Sequence, residues 1–233
     1  YIDLSKNPNP IPAFGDVDDY VFMDTNWQDV LFGNAGSTQH NLSVSGGNEK
    51  SLYRLSVGYM YDDSTLKWGN NNNKRFNVRL TNTVKLTDRF TIESVMAYNR
   101  QDQVSPTMID RVLTSSYPQP GLPSSTRDGK PYHWGGNYTP NWYAELGGDN
   151  KLKVSGINIS ENLKYQFTSY LDAVVNLGYN TSTATRDGVK NSITWYTYDG
   201  TLSTAKTKAI NNPNQASTEY SKSFARTDYY SVS

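Results

Sequence analysis

The stretch Arg75-Phe76-Asn77-Val78-Arg79-Leu80-Thr81-Asn82-Thr83-Val84-Lys85-Leu86 decides the fold class of this chain, because its residues alternate between two kinds of side chain. Every second residue from Phe76 onward is apolar except Asn82, and the intervening ones are polar or cationic. Successive side chains of a β-strand point to opposite faces, so the run predicts a strand with one apolar and one polar face. Three cations on one face cannot be packed into a dry core without partners, but they can line a water-filled lumen. We therefore predict that Arg75, Arg79 and Lys85 face a lumen.

The lumen-facing cations allow two interpretations. They could attract an anionic substrate or hold a plug domain, or they could belong to an ordinary lumen wall, paired with acids of a plug or of neighbouring strands.

The same alternation recurs along most of the chain, whereas helical periodicity is almost absent. The clearest further runs are Ser51–Tyr61, Phe90–Tyr98, Ile157–Phe167 and Leu171–Tyr179, with shorter ones at Asn41–Ser45 and Ser223–Ser233. Only Met108 to Leu113 suggests a helical turn or two. The sequence therefore predicts an all-β protein.

The connections between these runs alternate between two length classes. Tight connections occupy 46–50, 87–88 and 168–170, and long loops occupy about 62–74, 103–151 and 181–220. Outer-membrane barrels have short periplasmic turns and long extracellular loops, so this sorting predicts an antiparallel transmembrane β-barrel. On this interpretation residues 38–233 are barrel strands with their loops, and residues 1–37 are an extracellular loop segment.

Composition narrows the function further. The 22 basic and 22 acidic residues cancel, which gives no argument for a nucleic-acid partner. The absence of cysteine excludes disulfides and thiolate metal sites. A mean hydropathy of -0.70, with no apolar run near the length of a bilayer span, excludes a transmembrane helix. The 18 Tyr and 5 Trp, against 7 Phe, suit surfaces that are partly apolar and partly wet.

No arrangement of residues predicts catalysis, a metal site or a cofactor. His40 and His133 do not stand in a zinc-binding spacing, and the group Asp16, Asp18 and Asp19 lacks the glycine and terminal glutamate of a calcium loop. We therefore expect a protein that is not an enzyme.

The long loop at 103–151 carries the candidate contact residues. Its aromatic side chains stand among Gly, Asn and Pro, and they are Tyr132, Trp134, Tyr138, Trp142 and Tyr143. Exposed rings of this kind can contact a substrate or a partner that acts as a lid. Alternatively, the rings fold the loop onto itself as a compact unit.

Several segments in the first half of the chain resemble one known family. Asp24–Phe32 (DTNWQDVLF), Gln39–Gly47 (QHNLSVSGG), Ser56–Tyr59 (SVGY) and Lys74–Leu80 (KRFNVRL) are similar, in this order and spacing, to segments of SusC/RagA-type TonB-linked outer-membrane transporters. The specific likeness runs from Asp24 to about Arg100, and beyond it only the layout of strands and long loops agrees.

The resemblance implies a twenty-two-stranded barrel with an N-terminal plug, placed in the bacterial outer membrane and in contact with its lipid. It also implies a SusD-like surface lipoprotein as lid, an oligosaccharide or oligopeptide as substrate, and import energised through TonB. This chain would be a stretch of the barrel, its early strands and outer loops. The plug that contacts TonB would lie outside it.

Two rival interpretations stay open. A secreted carbohydrate-binding β-sandwich would explain Trp134 and Trp142, but not the cationic strand face or the sorted loops. A non-transporting surface barrel would share the strands and lack the plug. No residue discriminates between sugar and peptide as substrate.

Overall fold

The computed structural model describes residues 11–12, 19–20, 24–114, 120–134, 137–198, 200–202 and 218–233. The helices are α1 (Trp27–Leu31), α2 (Ile109–Thr114) and α3 (Pro140–Leu146). The short strands are β1 (Ile11–Pro12), β2 (Asp19–Tyr20), β7 (His133–Trp134) and β8 (Asn137–Tyr138). The long strands are β3 (Ser37–Gly47), β4 (Ser51–Asp63), β5 (Asn72–Thr87), β6 (Phe90–Pro106), β9 (Asp149–Thr168), β10 (Leu171–Lys190) and β11 (Glu219–Val232).

The long strands form one seven-stranded sheet in the order β3-β4-β5-β6-β9-β10-β11. Every neighbouring pair is antiparallel, so the chain runs up and down as a meander. This confirms the predicted all-β, antiparallel architecture. Among the described residues, no helix combines the length and the apolar character that crossing a bilayer requires.

The strands are longer than the sequence pattern predicted, and the loop bounds are corrected accordingly. Residues 181–190 were assigned to a loop but belong to β10, and residues 103–106 belong to β6. Near the long loops the strand residues become polar and the apolar alternation ends. Backbone pairing continues there, because it does not need apolar side chains. Thr181 pairs with Ile157 on one side and with Asp228 on the other, so the ladder continues beyond the apolar band.

One face of the sheet is largely apolar. Directly paired residues point to the same side of a sheet, so the register shows which side chains share a face. One row across the strands is Val44, Leu55, Leu80, Met96, Ile159, Tyr179 and Tyr230, and the next begins Leu42, Val57, Val78, Tyr98 and Ile157. Many of these side chains are exposed, Leu42 at 69% and Val44 at 55%. Within the described part of the chain, no second layer covers this face, as a β-sandwich would require.

The opposite face is polar. One row consists of Asn41, Gly58, Asn77, Asn99, Gly156 and Ser182, and the next of Ser43, Ser56, Arg79, Ala97, Asn158 and Asn180. Arg75, Arg79 and Lys85 lie on this polar face of β5. The sheet thus has one largely apolar face and one polar face.

Three tight turns join strands at one end of the sheet, and each is stabilised by a side-chain oxygen. Asn48 Oδ1 accepts hydrogen bonds from the backbone N–H groups of Lys50 and Ser51, both at 2.9 Å. Thr87 Oγ1 and Thr168 Oγ1 accept from the backbone N–H groups two residues further on, at 3.3 and 3.4 Å. Such local bonds are the reason that Asn and Thr favour turns.

Aromatic rings gather next to these turns. The Phe90 and Tyr165 ring centroids lie 6.2 Å apart, and those of Tyr165 and Phe167 lie 4.8 Å apart. The connections at the opposite end of the sheet are long.

Candidate functional site

The long connections pack together into a single unit, which we call the loop cap. It comprises the described residues of 24–36, 64–71, 107–148 and 191–202. Its apolar core takes buried side chains from every one of these segments, namely Trp27, Leu31, Leu66, Val112, Leu122, Tyr132, Ala144 and Tyr198. A core shared among four segments means that no single loop folds by itself.

The N-terminal part of the loop cap is built around α1. Asn26 caps this helix by accepting hydrogen bonds from the backbone N–H groups of Gln28 and Asp29. Trp27 and Leu31 lie four residues apart, so they share the helix face that enters the core.

Hydrogen bonds also join the segments of the loop cap to one another. The Trp68 indole Nε1–H donates to the carbonyl of Val30 at 2.6 Å, and the Lys67 backbone N–H donates to Leu31 at 2.9 Å. The Gly69 backbone N–H donates to the Glu145 carboxylate at 2.8 Å. These bonds fasten 64–71 between α1 and α3.

Three of the five predicted loop aromatics make contacts inside the loop cap. Tyr132 is 1% exposed, and its ring meets that of Tyr198 edge to face at 6.1 Å. The Trp142 indole Nε1–H donates to the carbonyl of Ser124 at 2.9 Å, and its ring lies 5.6 Å from that of Trp68. The Tyr143 ring packs edge to face on Trp195 at 5.2 Å. This is the geometry of the self-packing alternative, while contact with a substrate or a lid stays a prediction.

For Trp134 and Tyr138 the structure describes only the backbone. They lie in a two-stranded hairpin in which Trp134 pairs with Asn137 and His133 pairs with Tyr138. The core partners Trp195 and Tyr198 did not emerge from the sequence, because they lie in a loop without periodicity.

His133 is the buried titratable group of the loop cap. Its side chain is inaccessible to solvent, and its backbone N–H donates to the carbonyl of Tyr196 at 3.0 Å. Burial disfavours the imidazolium form and lowers the pKa of His133 to about 4. The loop cap therefore contains a neutral imidazole at neutral pH.

The second part of the candidate site is a hollow on the polar face of β3, β4 and β5. It has a volume of about 310 Å³, and its polar lining consists of Asn41, Ser43, Arg54, Ser56, Asn77 and Arg79. Of the predicted lumen cations, only Arg79 lines this hollow. The alternation of Ser51–Tyr61 puts Arg54 on the polar face, but its proximity to Arg79 depends on the register between β4 and β5.

The described residues contain no cluster of three or more His, Asp or Glu side chains that could hold a metal ion. The described residues thus form a packed loop cap at one end of the sheet and a hollow on its polar face.

Comparisons with known proteins bear on this geometry. No family model matches the chain. A segment of 46 residues is 44% identical to the TonB-dependent receptor SusC of Bacteroides thetaiotaomicron, which covers 20% of this chain and 5% of SusC. The fold matches a chain of the structure of the RagAB peptide importer in the closed-closed state, with a TM-score of 0.59 and 15% sequence identity. That match covers 91% of this chain and 24% of the solved chain.

The structural match shows the fold, an antiparallel sheet that corresponds to part of a large barrel. The segment shared with SusC supports the relationship in sequence, so the chain is SusC/RagA-like. It spans about a quarter of the length of the solved RagAB chain that it matches.

Removing the ring at the centre of the loop cap should loosen the cap and leave the sheet intact. We expect Tyr132→Ala to destabilise the loop cap by about 3 kcal/mol, the usual range for truncating a buried aromatic residue. Limited proteolysis should then cut the long loops, whereas resistance of the strands to heat and detergent should persist. Tyr170→Ala is the matched control, since Tyr170 is 88% exposed in a tight turn. Equal protease resistance of both variants would contradict the shared core.

The loop cap should also weaken in acid. The pKa of His133 is lower in the folded state, about 4, than its ordinary value of 6.5, so the unfolded cap binds more protons between these values. The contribution of neutral His133 to the stability of the loop cap is therefore complete above pH 6.5. It falls, by at most roughly 3 kcal/mol, as the pH drops to 4. Hydrogen exchange of loop amides at pH 7 and 5 measures this loss. His133→Gln should abolish the difference, and His40→Gln, at the other histidine, should keep it.

Proposed function

We propose that this chain forms wall strands and outer loops of an active nutrient importer of the bacterial outer membrane. The observation that carries the proposal is the two-faced sheet, which exposes a largely apolar surface on one side and a polar, cationic surface on the other. An exposed apolar surface on this scale is costly in water and suits contact with lipid. The polar face then lines the lumen.

The ends of the sheet support an orientation. Short turns belong to the periplasmic side of such barrels and long loops to the outside, so the loop cap would form an extracellular vestibule. Aromatic rings beside the short turns fit the interfacial girdle that flanks a lipid-facing band. We infer the same division as from the sequence, with 1–37 as an outer loop segment and 38–233 as barrel strands with their loops.

The relatives suggest how the lumen would be used. SusC is named as a TonB-dependent receptor and RagAB as a peptide importer, so we infer TonB-energised uptake of oligosaccharides or oligopeptides. A SusD-like lipoprotein would dock on the loop cap as a lid, through surfaces that include Trp134, Tyr138, Trp142 or Tyr143. The work of the protein is binding and gated passage rather than bond chemistry, and the plug that couples to TonB would be contributed by another part of the protein.

The orientation of the wall can be tested with single cysteines, because this chain contains no cysteine of its own. Arg79 and Leu80 are neighbours in β5 and lie on opposite faces. In the intact protein in lipid bilayers, a fluorophore on Leu80→Cys should be quenched by spin-labelled lipids, and one on Arg79→Cys should not. Stronger quenching at Arg79→Cys than at Leu80→Cys would refute the importer wall.

A separate labelling experiment tests the side of the membrane on which the short turns lie. Tyr170→Cys should react with a membrane-impermeant maleimide only after the outer membrane is permeabilised.

A polar interruption of the apolar face provides a stability test. Asn82, Ser94 and Glu161 form one row across β5, β6 and β9, and Ser94 Oγ donates to Glu161 Oε2 at 2.5 Å. A charged residue within a lipid-facing band destabilises a barrel, so Glu161→Leu should raise the free energy of unfolding in bilayers by about 1 kcal/mol. The free energy of unfolding is measured by urea titration in bilayers. Glu93→Leu, on the polar face of β6, should not raise it. A loss of stability in Glu161→Leu would argue against lipid contact at that row.

A further inference from the structure

We propose that the hollow between Arg54 and Arg79 binds a carboxylate group of the cargo, so that the importer favours acidic oligomers. The inference rests on the proposed function for placing this face in the lumen. It adds a substrate chemistry and a defined site.

The register brings the two arginines together. Ser56 pairs directly with Arg79, and Arg54 is the preceding residue of β4 on the same face. The two guanidinium groups are therefore diagonal neighbours on adjacent strands, and both line the same hollow.

Next to Arg79, on the side away from Arg54, carboxamides converge over a glycine. A Cβ atom at Gly58 would lie 2.5 Å from Asn77 Nδ2 and 2.8 Å from Asn41 Oδ1. Asn77 from β5 and Asn41 from β3 thus lie across the backbone of Gly58, and any larger residue there would displace them. Their amide groups add hydrogen-bond donors beside Arg79.

The positive charge of the hollow is not balanced within the described part of the chain. Neither Arg54 nor Arg79 has an ion-pair partner there, whereas Arg100 and Arg226 pair with Asp102 and Asp228 at 3.0 Å. The described residues that line the hollow include no acidic side chain. Unpaired arginines in a concave wall attract anions, and the guanidinium fork matches a carboxylate in two parallel hydrogen bonds.

A second hollow extends the site along the sheet. It has a volume of about 460 Å³, shares Asn77 and Arg79 with the first, and continues past Asn99, Asn158 and Asn180. A row of carboxamides can donate to and accept from hydroxyl or peptide groups without selecting charge. The complete site therefore suits an extended oligomer whose carboxylate lies at the arginines and whose uncharged polar units lie along the asparagines.

Such a carboxylate could belong to an acidic sugar or to an acidic peptide, and the experiment has an arm for each. The intact protein, purified in detergent, is titrated by calorimetry with tetragalacturonate and with the uncharged galactose tetramer. A second pair consists of a glutamate-containing pentapeptide and its glutamine counterpart. The wild type should bind one acidic probe more tightly than its neutral counterpart, and that pair identifies the source of the carboxylate.

The arginines are tested by substitution. Arg54→Gln and Arg79→Gln should each weaken binding of the preferred acidic probe by about tenfold, as expected for the loss of a charge-assisted hydrogen bond. Binding of the neutral counterpart should change less than about twofold by the same reasoning. Asn77→Asp keeps the shape of an exposed side chain and places a negative charge in the hollow. It should therefore weaken binding of the acidic probe by a similar factor.

Lys85→Gln is the matched control, because Lys85 lies on the same strand and face as Arg79 but outside the hollow. An equal loss in Lys85→Gln would reduce the effect to general electrostatics and overturn the site. Acidic probes that bind no more tightly than their neutral counterparts would overturn it as well. If neutral oligomers still bind and enter the cell in that case, the proposed import function is retained and only the carboxylate site is rejected.

Discussion

The structure depends on the register that is maintained across seven antiparallel strands. Because side chains alternate with a period of two, a slip of one residue between any two strands would move the apolar residues of one strand onto the polar face. Rows such as Val44, Leu55, Leu80, Met96 and Ile159 exist only because every pairing keeps the same phase. The same phase places the arginines and asparagines together on the other side. The apolar face and the chemistry of the polar face are thus consequences of one geometric constraint.

The two ends of the sheet meet different demands. At one end, Asn48, Thr87 and Thr168 satisfy the backbone of turns that need only a few residues. At the other end, long segments carry many backbone polar groups and several aromatic rings beyond the sheet. They are stabilised by burying these rings against one another, and the hydrogen bond from Trp68 to Val30 joins segments far apart in the sequence. The loop cap is therefore a small tertiary structure supported by the strands, which suits a vestibule whose shape must persist while cargo passes.

The polar face shows how small residues contribute to a binding surface. Gly58 and Gly156 leave room for asparagine side chains of the neighbouring strands, whose amides lie flat over the backbone. The wall is thereby concave at these places, and Arg54 and Arg79 border one of the hollows. A larger residue at either glycine would displace these asparagine side chains. This face thus combines many carboxamide and hydroxyl groups with one local concentration of charge.

The sequence by itself determined the fold class, because alternation such as that of Arg75 to Leu86 depends only on strand geometry and needs no distant partner. It also determined which face of β5 carries Arg75, Arg79 and Lys85, and that connections alternate between short and long. The extension of β10 to Lys190 was missed, since backbone pairing continues where the side-chain pattern has ended. The burial of Tyr132 and His133, and their neighbours Tyr198 and Tyr196, could not be read from the chain, because loop residues have no periodicity to indicate a face. Only the tertiary structure decided that Arg54 lies beside Arg79 and that distant loops share one core, since both depend on how segments are paired in space rather than on local preference.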